Sequence, residues 1–252
     1  IERLYNLYTI YTFFCHICVT MHKTLSNKFS NSLKLLTLKF IVVKYRRIKF
    51  EAEFSDIYTY LRFCLENLSF YAILFITQPG TDLWQRTYYH FRNDNAPVLQ
   101  IETEEKFFSF IVKTDFKESH HRFDQCGVVM YLDSENWLKG SIEYENDNFQ
   151  HLGSVVTNNG YSDWATTEID AEIKSMWYRL SRREDDYCIE CSEDGIRFKQ
   201  MRICHMWAGA GKIKFGIYAC SPEDSSFKAV FTDMKLTECQ WKAHDGQKPD
   251  EM

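Results

Sequence analysis

From residue 68 onward, hydrophobic and polar positions alternate in short runs. Segments rich in β-branched and aromatic residues at 68–76, 87–91, 98–102, 107–115, 127–132, 137–144 and 151–157, then at 176–181, 187–191, 198–204, 213–220 and 227–236, read as strands. Clusters of turn residues separate them, among them RNDNAP, LDSEN, YENDN, NNG, REDD, SEDG and SPEDSS. No helical period interrupts the series, so the pattern predicts an all-β, antiparallel sandwich or barrel. Within 137–144 the alternation makes two faces. Leu138, Gly140, Ile142 and Tyr144 suit a core, whereas Trp137, Lys139, Ser141 and Glu143 share the other side. An indole, an ammonium and a carboxylate in one row are either solvated or the floor of a groove.

The first 77 residues are a different kind of sequence. They lack Gly, Pro, Trp and Gln, which arrive together in QPGTDLW at 78–84. Without the residues that turns require, such a segment is expected to be helical or poorly structured. Its composition also fits a translation of AT-rich sequence foreign to the native protein. Residues 4–21 are apolar and of bilayer-spanning length, but they are rich in Tyr and Thr, and no small-residue cleavage site follows. Residues 32–45 read as a basic amphipathic surface helix. The expected organisation is an extension over 1–65, a sandwich over 66–239 and a flexible polar tail over 240–252.

Composition narrows the function classes. At 45% hydrophobic and 16% aromatic the chain can bury a real core. A formal charge of −5 gives no overall basic surface, which argues against a nucleic-acid partner. Nine cysteines, an odd number without dense spacing, read as free thiols in a reducing compartment and hence as a cytoplasmic protein. Two CxxC pairs, Cys15/Cys18 and Cys188/Cys191, lie far apart, and residues three apart on a strand face opposite ways, so no zinc site is expected. The adjacent His120 and His121 diverge by the same argument. Cys220 is a candidate reactive thiol, though no base is placed beside it in sequence. Phosphate-cradling loops and nucleophile elbows are missing, and no cofactor is expected.

Five ordered blocks carry a resemblance: TDLWQRTYYHF (81–91), FDQCGVVMYLDSENWLKGSIEY (123–144), SVVTNNGYSDWA (154–165), RLSRREDDYCIECSEDG (179–195) and GIYACSP (216–222). Together they resemble the regulation-of-enolase, or DUF1349, family. The resemblance implies a concanavalin A-like lectin/glucanase sandwich, a jelly roll with one concave sheet, over roughly residues 68–236. It departs from the usual family pattern at Leu83, at His90, where a glycine is usual, and at Ser141, where the glycine sits one position earlier as Gly140.

On a concave sheet, Trp137 would be a stacking platform, with Lys139 and Glu143 about 13 Å apart along the strand, a span suited to an extended ligand. Gln125 would add an amide from the neighbouring strand. Asp82, Trp84, Asp163, Trp164 and Arg179 come from the other family-like blocks. Flat apolar rings combined with carboxylates, amides and a guanidinium are the chemistry of sugar recognition. The expected function is therefore non-catalytic recognition of a carbohydrate or sugar-derived metabolite. Two alternatives stay open: a module that binds a protein partner in carbohydrate metabolism, and a glycoside-processing enzyme using Glu143 with a second carboxylate, Glu145 about 7 Å along the strand or Asp163.

Overall fold

A computed structural model describes residues 39–43 and 71–242 of the chain. Every regular element in them is a strand: β1 (Lys39–Val43), β2 (Tyr71–Ile76), β3 (Leu83–Gln85), β4 (Arg92–Asp94), β5 (Val98–Thr103), β6 (Phe107–Asp115), β7 (Gln125–Asp133), β8 (Asn136–Tyr144), β9 (Phe149–Asn158), β10 (Tyr161–Asp170), β11 (Ser175–Arg183), β12 (Asp186–Ser192), β13 (Lys199–His205), β14 (Ile213–Cys220) and β15 (Lys228–Glu238). A seven-stranded sheet runs β1-β2-β15-β6-β11-β12-β13, and a six-stranded sheet runs β10-β9-β8-β7-β14-β5. All pairings are antiparallel except β1 with β2. The expected antiparallel sandwich is the architecture of the described residues.

The main core lies between the sheets, built from the inward positions of both. Leu138, Ile142, Val128 and Met130 from the six-stranded sheet meet Tyr178, Leu180, Ile189 and Val112 from the other. Gly140 falls on this inner face, and a side chain there would sit 2.7 Å from Ile189 Cγ2. Glycine lets the two sheets approach at this point.

The six-stranded sheet also carries a second apolar cluster on its outer face. Leu83, Trp84 and Ala96, from and beside the short β3–β4 hairpin, cover Trp137, Val129, Tyr131, Val155 and Tyr218. The hairpin is thus a flap on one half of that face, pinned at its base where Asn95 Oδ1 accepts from Asp82 N (2.9 Å) and Asn95 Nδ2 donates to Gly80 O (2.9 Å).

Three expectations about elements need correction. Residues 87–91 form no strand but the turn of this hairpin, whose aromatic side chains point outward. Residues 161–170, passed over because they are polar and largely exposed, form β10, the edge strand paired with β9 through all ten positions. Residues 39–43, inside the stretch read as a helix within the extension, form β1 and pair with β2, Lys39 opposite Tyr71. The apolar run at 4–21, the CxxC at 15–18 and the last ten residues lie outside the described residues. No helix among the described residues is long and apolar enough to cross a membrane.

Candidate functional site

The register of the six-stranded sheet assembles the polar residues of its outer face. Gln125 on β7 and His151 on β9 lie opposite Glu143 on β8, and Cys220 on β14 lies opposite Gln125. Lys139 is the centre of this group. Its Nζ donates to Gln125 Oε1 at 2.6 Å, stands 3.7 Å from Glu143 Oε1 and 3.9 Å from Asp82 Oδ1, and lies 5.7 Å from the centroid of the Tyr218 ring. Tyr218 Oη donates to the same Gln125 oxygen at 2.9 Å. Asp82 enters from the flap above the sheet, its Oδ1 accepting from Leu83 N at 2.7 Å.

The Cα spacing of Lys139 and Glu143 is that of four strand residues, but the side chains lean together. Their charged ends are in contact, so they do not bracket an extended ligand. The cluster is also dry: side-chain exposure is 3% for Lys139, 9% for Glu143 and 14% for Asp82. Burial pushes both carboxyls above their usual range, and the Lys139 ammonium opposes that shift without cancelling it. Two carboxyl groups share one ammonium in a desolvated layer.

Trp137 is fully buried beneath the flap and offers no platform. Its neighbours on that face are closer to the surface. Trp84 and Trp164 meet edge to face at 6.4 Å, Trp84 meets Tyr89 at 5.6 Å, and Trp164 meets His151 at 6.0 Å. Trp84, Trp164, Tyr89, Ser162 and Asp163 wall an open depression of about 500 Å³ between the hairpin turn and β10. The indole N–H groups of Trp84, Trp137 and Trp164 and the Nδ1 of His151 are buried and have no hydrogen-bond partner among the described residues.

The remaining candidates lie elsewhere. Arg179 alternates with the core residues Tyr178 and Leu180 on β11, so it points away from the core on the other sheet, where it forms a two-pronged ion pair with Glu190 (2.5 and 2.6 Å). Asp163 is exposed at the rim of the depression and pairs with Arg202 at 3.0 Å. Glu145 pairs with Arg122 at 3.0 Å. The carboxyl group that shares a counter-ion with Glu143 is Asp82, not Glu145 or Asp163. Cys188, Cys191 and Cys220 are free thiols, and burial pushes each upward, Cys188 to about 12, which removes Cys220 as a ready nucleophile. Tyr218 and His151 were not singled out from sequence, because strand register alone brings them to the cluster.

With this geometry in hand, comparison with known proteins is informative. A family model described as "Protein of unknown function (DUF1349)" matches residues 70–239. The chain belongs to the DUF1349 family. Within it, Regulation of enolase protein 1 of Saccharomyces cerevisiae is 31% identical over 170 residues, 67% of this chain and 83% of that protein. The crystal structure of a functionally unknown protein from Saccharomyces cerevisiae superposes on the DUF1349 domain with a TM-score of 0.60 at 28% identity, over 66% of this chain and 88% of that one. A GH43 protein, BlXynB from Bacillus licheniformis, in mutant form, superposes with a TM-score of 0.52 at 18% identity, over 66% of this chain and 32% of its own, a likeness of fold alone.

Proposed function

We propose that this DUF1349 domain binds a carbohydrate or sugar-derived metabolite without transforming it, in the depression beside the β3–β4 flap. The observation that carries this reading is the Trp84–Trp164 pair: a buried and a part-buried indole meet edge to face at the wall of an open depression, with the exposed Asp163 carboxylate beside them. Rings of this kind take the C–H face of a pyranose, and the exposed Asp163 carboxylate and the hydroxyl of the exposed Tyr89 take its hydroxyls. Asp82, Gln125, Lys139 and Glu143 act as positioning residues, holding the flap and hence Trp84 against the sheet. Trp137 packs the flap from below. Arg179 takes no part.

Titration of the full chain with neutral, acidic and phosphorylated mono- and oligosaccharides, read by calorimetry, tests the proposal. Trp164→Ala is expected to abolish binding with little change in melting temperature, since Trp164 is only part-buried. Lys139→Ala is expected to lower both. Absence of binding to every sugar by the folded wild-type chain would overturn the proposal. Weight would then pass to a protein partner docked on the exposed aromatic rim of Tyr88, Tyr89, Phe91 and Tyr161, which are 47–81% exposed.

A further inference from the structure

On the far side of the hairpin turn lies a second depression, of about 360 Å³, lined by Arg86, Thr87, Tyr88, His90, Arg92 and Tyr161. It shares Thr87 and Tyr88 with the depression just described, so the two are continuous around one turn. Its chemistry is different. Two guanidiniums face it, and among the described residues the only carboxylate paired with either is that of Glu135. Arg86 is satisfied: Nη1 donates to Glu135 Oε2 (2.8 Å) and to Gly160 O (2.6 Å), and Nη2 donates to Glu135 Oε1 (3.1 Å), with the guanidinium 5.4 Å from the centroid of the Tyr161 ring. Arg92 is not. Its nearest carboxylate oxygen is 3.7 Å away, beyond hydrogen-bonding distance, its side chain is 58% exposed, and it makes no side-chain hydrogen bond among the described residues.

A guanidinium carries five donors in a planar fork that matches an oxyanion. Here one such fork stands open at the wall of a depression, beside an imidazole and two phenols, in a chain whose overall charge is −5. The backbone supports a built feature at this place. Arg86, Tyr88 and His90 all hold left-handed conformations, with φ of 55°, 63° and 61°. Non-glycine residues so placed are strained, and such strain is concentrated at ligand clamps.

We infer that this second depression is an oxyanion subsite, in which Arg92, with His90 and the hydroxyls of Tyr88 and Tyr161, holds the phosphate or carboxylate of a ligand whose sugar lies against Trp84 and Trp164. The ligand class is then an acidic or phosphorylated sugar rather than a neutral one. The sugar half of this inference rests on the proposed function; the oxyanion half does not.

The test is an NMR titration of the full chain, following the arginine Nε–Hε and tyrosine ring signals. Inorganic phosphate, a hexose 6-phosphate, a hexuronate and the neutral hexose are added in turn against chloride at matched ionic strength, which controls for screening. Phosphate and both charged sugars are expected to shift Arg92, Tyr88 and Tyr161. The stronger of the two charged sugars tells phosphoryl from carboxylate recognition. Arg92→Gln should weaken the response about fivefold, the loss of one part-exposed charge-assisted contact. Glu135→Gln should strengthen it by releasing Arg86, a gain that general loosening of the turn would not produce. No shift beyond the chloride control, or an unchanged response in Arg92→Gln, overturns the oxyanion subsite. A phosphate response without binding of any sugar keeps the subsite and rejects the carbohydrate reading. Equal binding of neutral and charged hexose, unaffected by Arg92→Gln, does the reverse.

Discussion

Lys139, Glu143 and Asp82 show how burial reverses the ordinary meaning of a charged row on a strand. Had the face been wet, each side chain would be dispensable; under the flap, removing Lys139 leaves Glu143 and Asp82 without a counter-charge. Lys139→Ala is expected to destabilise the fold by about 3 kcal/mol at neutral pH, the cost of stranding a buried charge partner. The loss should shrink at pH 5, where the two carboxyls can take up protons. Chemical denaturation at both pH values checks this. Glu143 gives a second prediction. Its folded-state pKa is raised, so the stability it contributes is complete below its unfolded pKa, about 4.3, and is lost as pH rises through the folded value. The melting temperature of wild type minus that of Glu143→Gln should therefore fall as pH is raised from about 4 to 8. Parallel curves would mean that the carboxyl is not desolvated. Arg182 is a further buried charge and is held differently. Fully buried, it donates to four carbonyl oxygens, those of Glu105, Glu184, Gly209 and Gly211, and so ties the loop after β13 to the end of β11. Lysine cannot reproduce that fork, and Arg182→Lys should cost about 3 kcal/mol, seen as a lower urea midpoint with an unchanged slope.

At the scale of an element, the β3–β4 hairpin is the decisive feature. It converts the outer face of a sheet into a covered layer and leaves a depression on either side of its turn. Its hold on the sheet is largely Trp137 packed against Leu83 and Trp84. Trp137→Ala should cost roughly 3–5 kcal/mol and release the flap, measurable as faster hydrogen exchange at 82–96 than in β6 or β11. The turn itself is strained in the opposite sense. His90 stands in a left-handed conformation that glycine adopts without steric cost, so His90→Gly should raise stability by up to about 1 kcal/mol, read as a higher urea midpoint. The same substitution removes one wall of the oxyanion subsite. A stabilised variant with weakened phosphate response would link strain to binding. The misreading of 87–91 as a strand has its cause here: aromatic content signals β structure only when the rings have a sheet to pack on.

For the whole molecule, the closeness of the two sheets is set at Gly140 against Ile189. Gly140→Val should force the sheets apart and cost several kcal/mol. The strand series, the sandwich class and the inner face of β8 were legible in sequence because each depends on local alternation, and half-buried antiparallel strands write that alternation directly. The ordered blocks at 81–91, 123–144, 154–165, 179–195 and 216–222 were legible for a different reason, as family pattern. Strand β10 was not, since an exposed edge strand buries too little to show a hydrophobic period. Nor was the fate of the Trp137–Glu143 face. Alternation says that Trp137, Lys139, Ser141 and Glu143 lie together, and nothing local says what lies over them. That was decided by a hairpin from forty to sixty residues earlier in the chain folding back across the sheet, by register bringing Gln125, His151 and Tyr218 to Lys139, and by two side chains closing a gap that their backbones leave open. Sequence by itself determined which residues share a face; only the tertiary structure decided which faces are covered, because cover comes from contacts between residues distant in the chain.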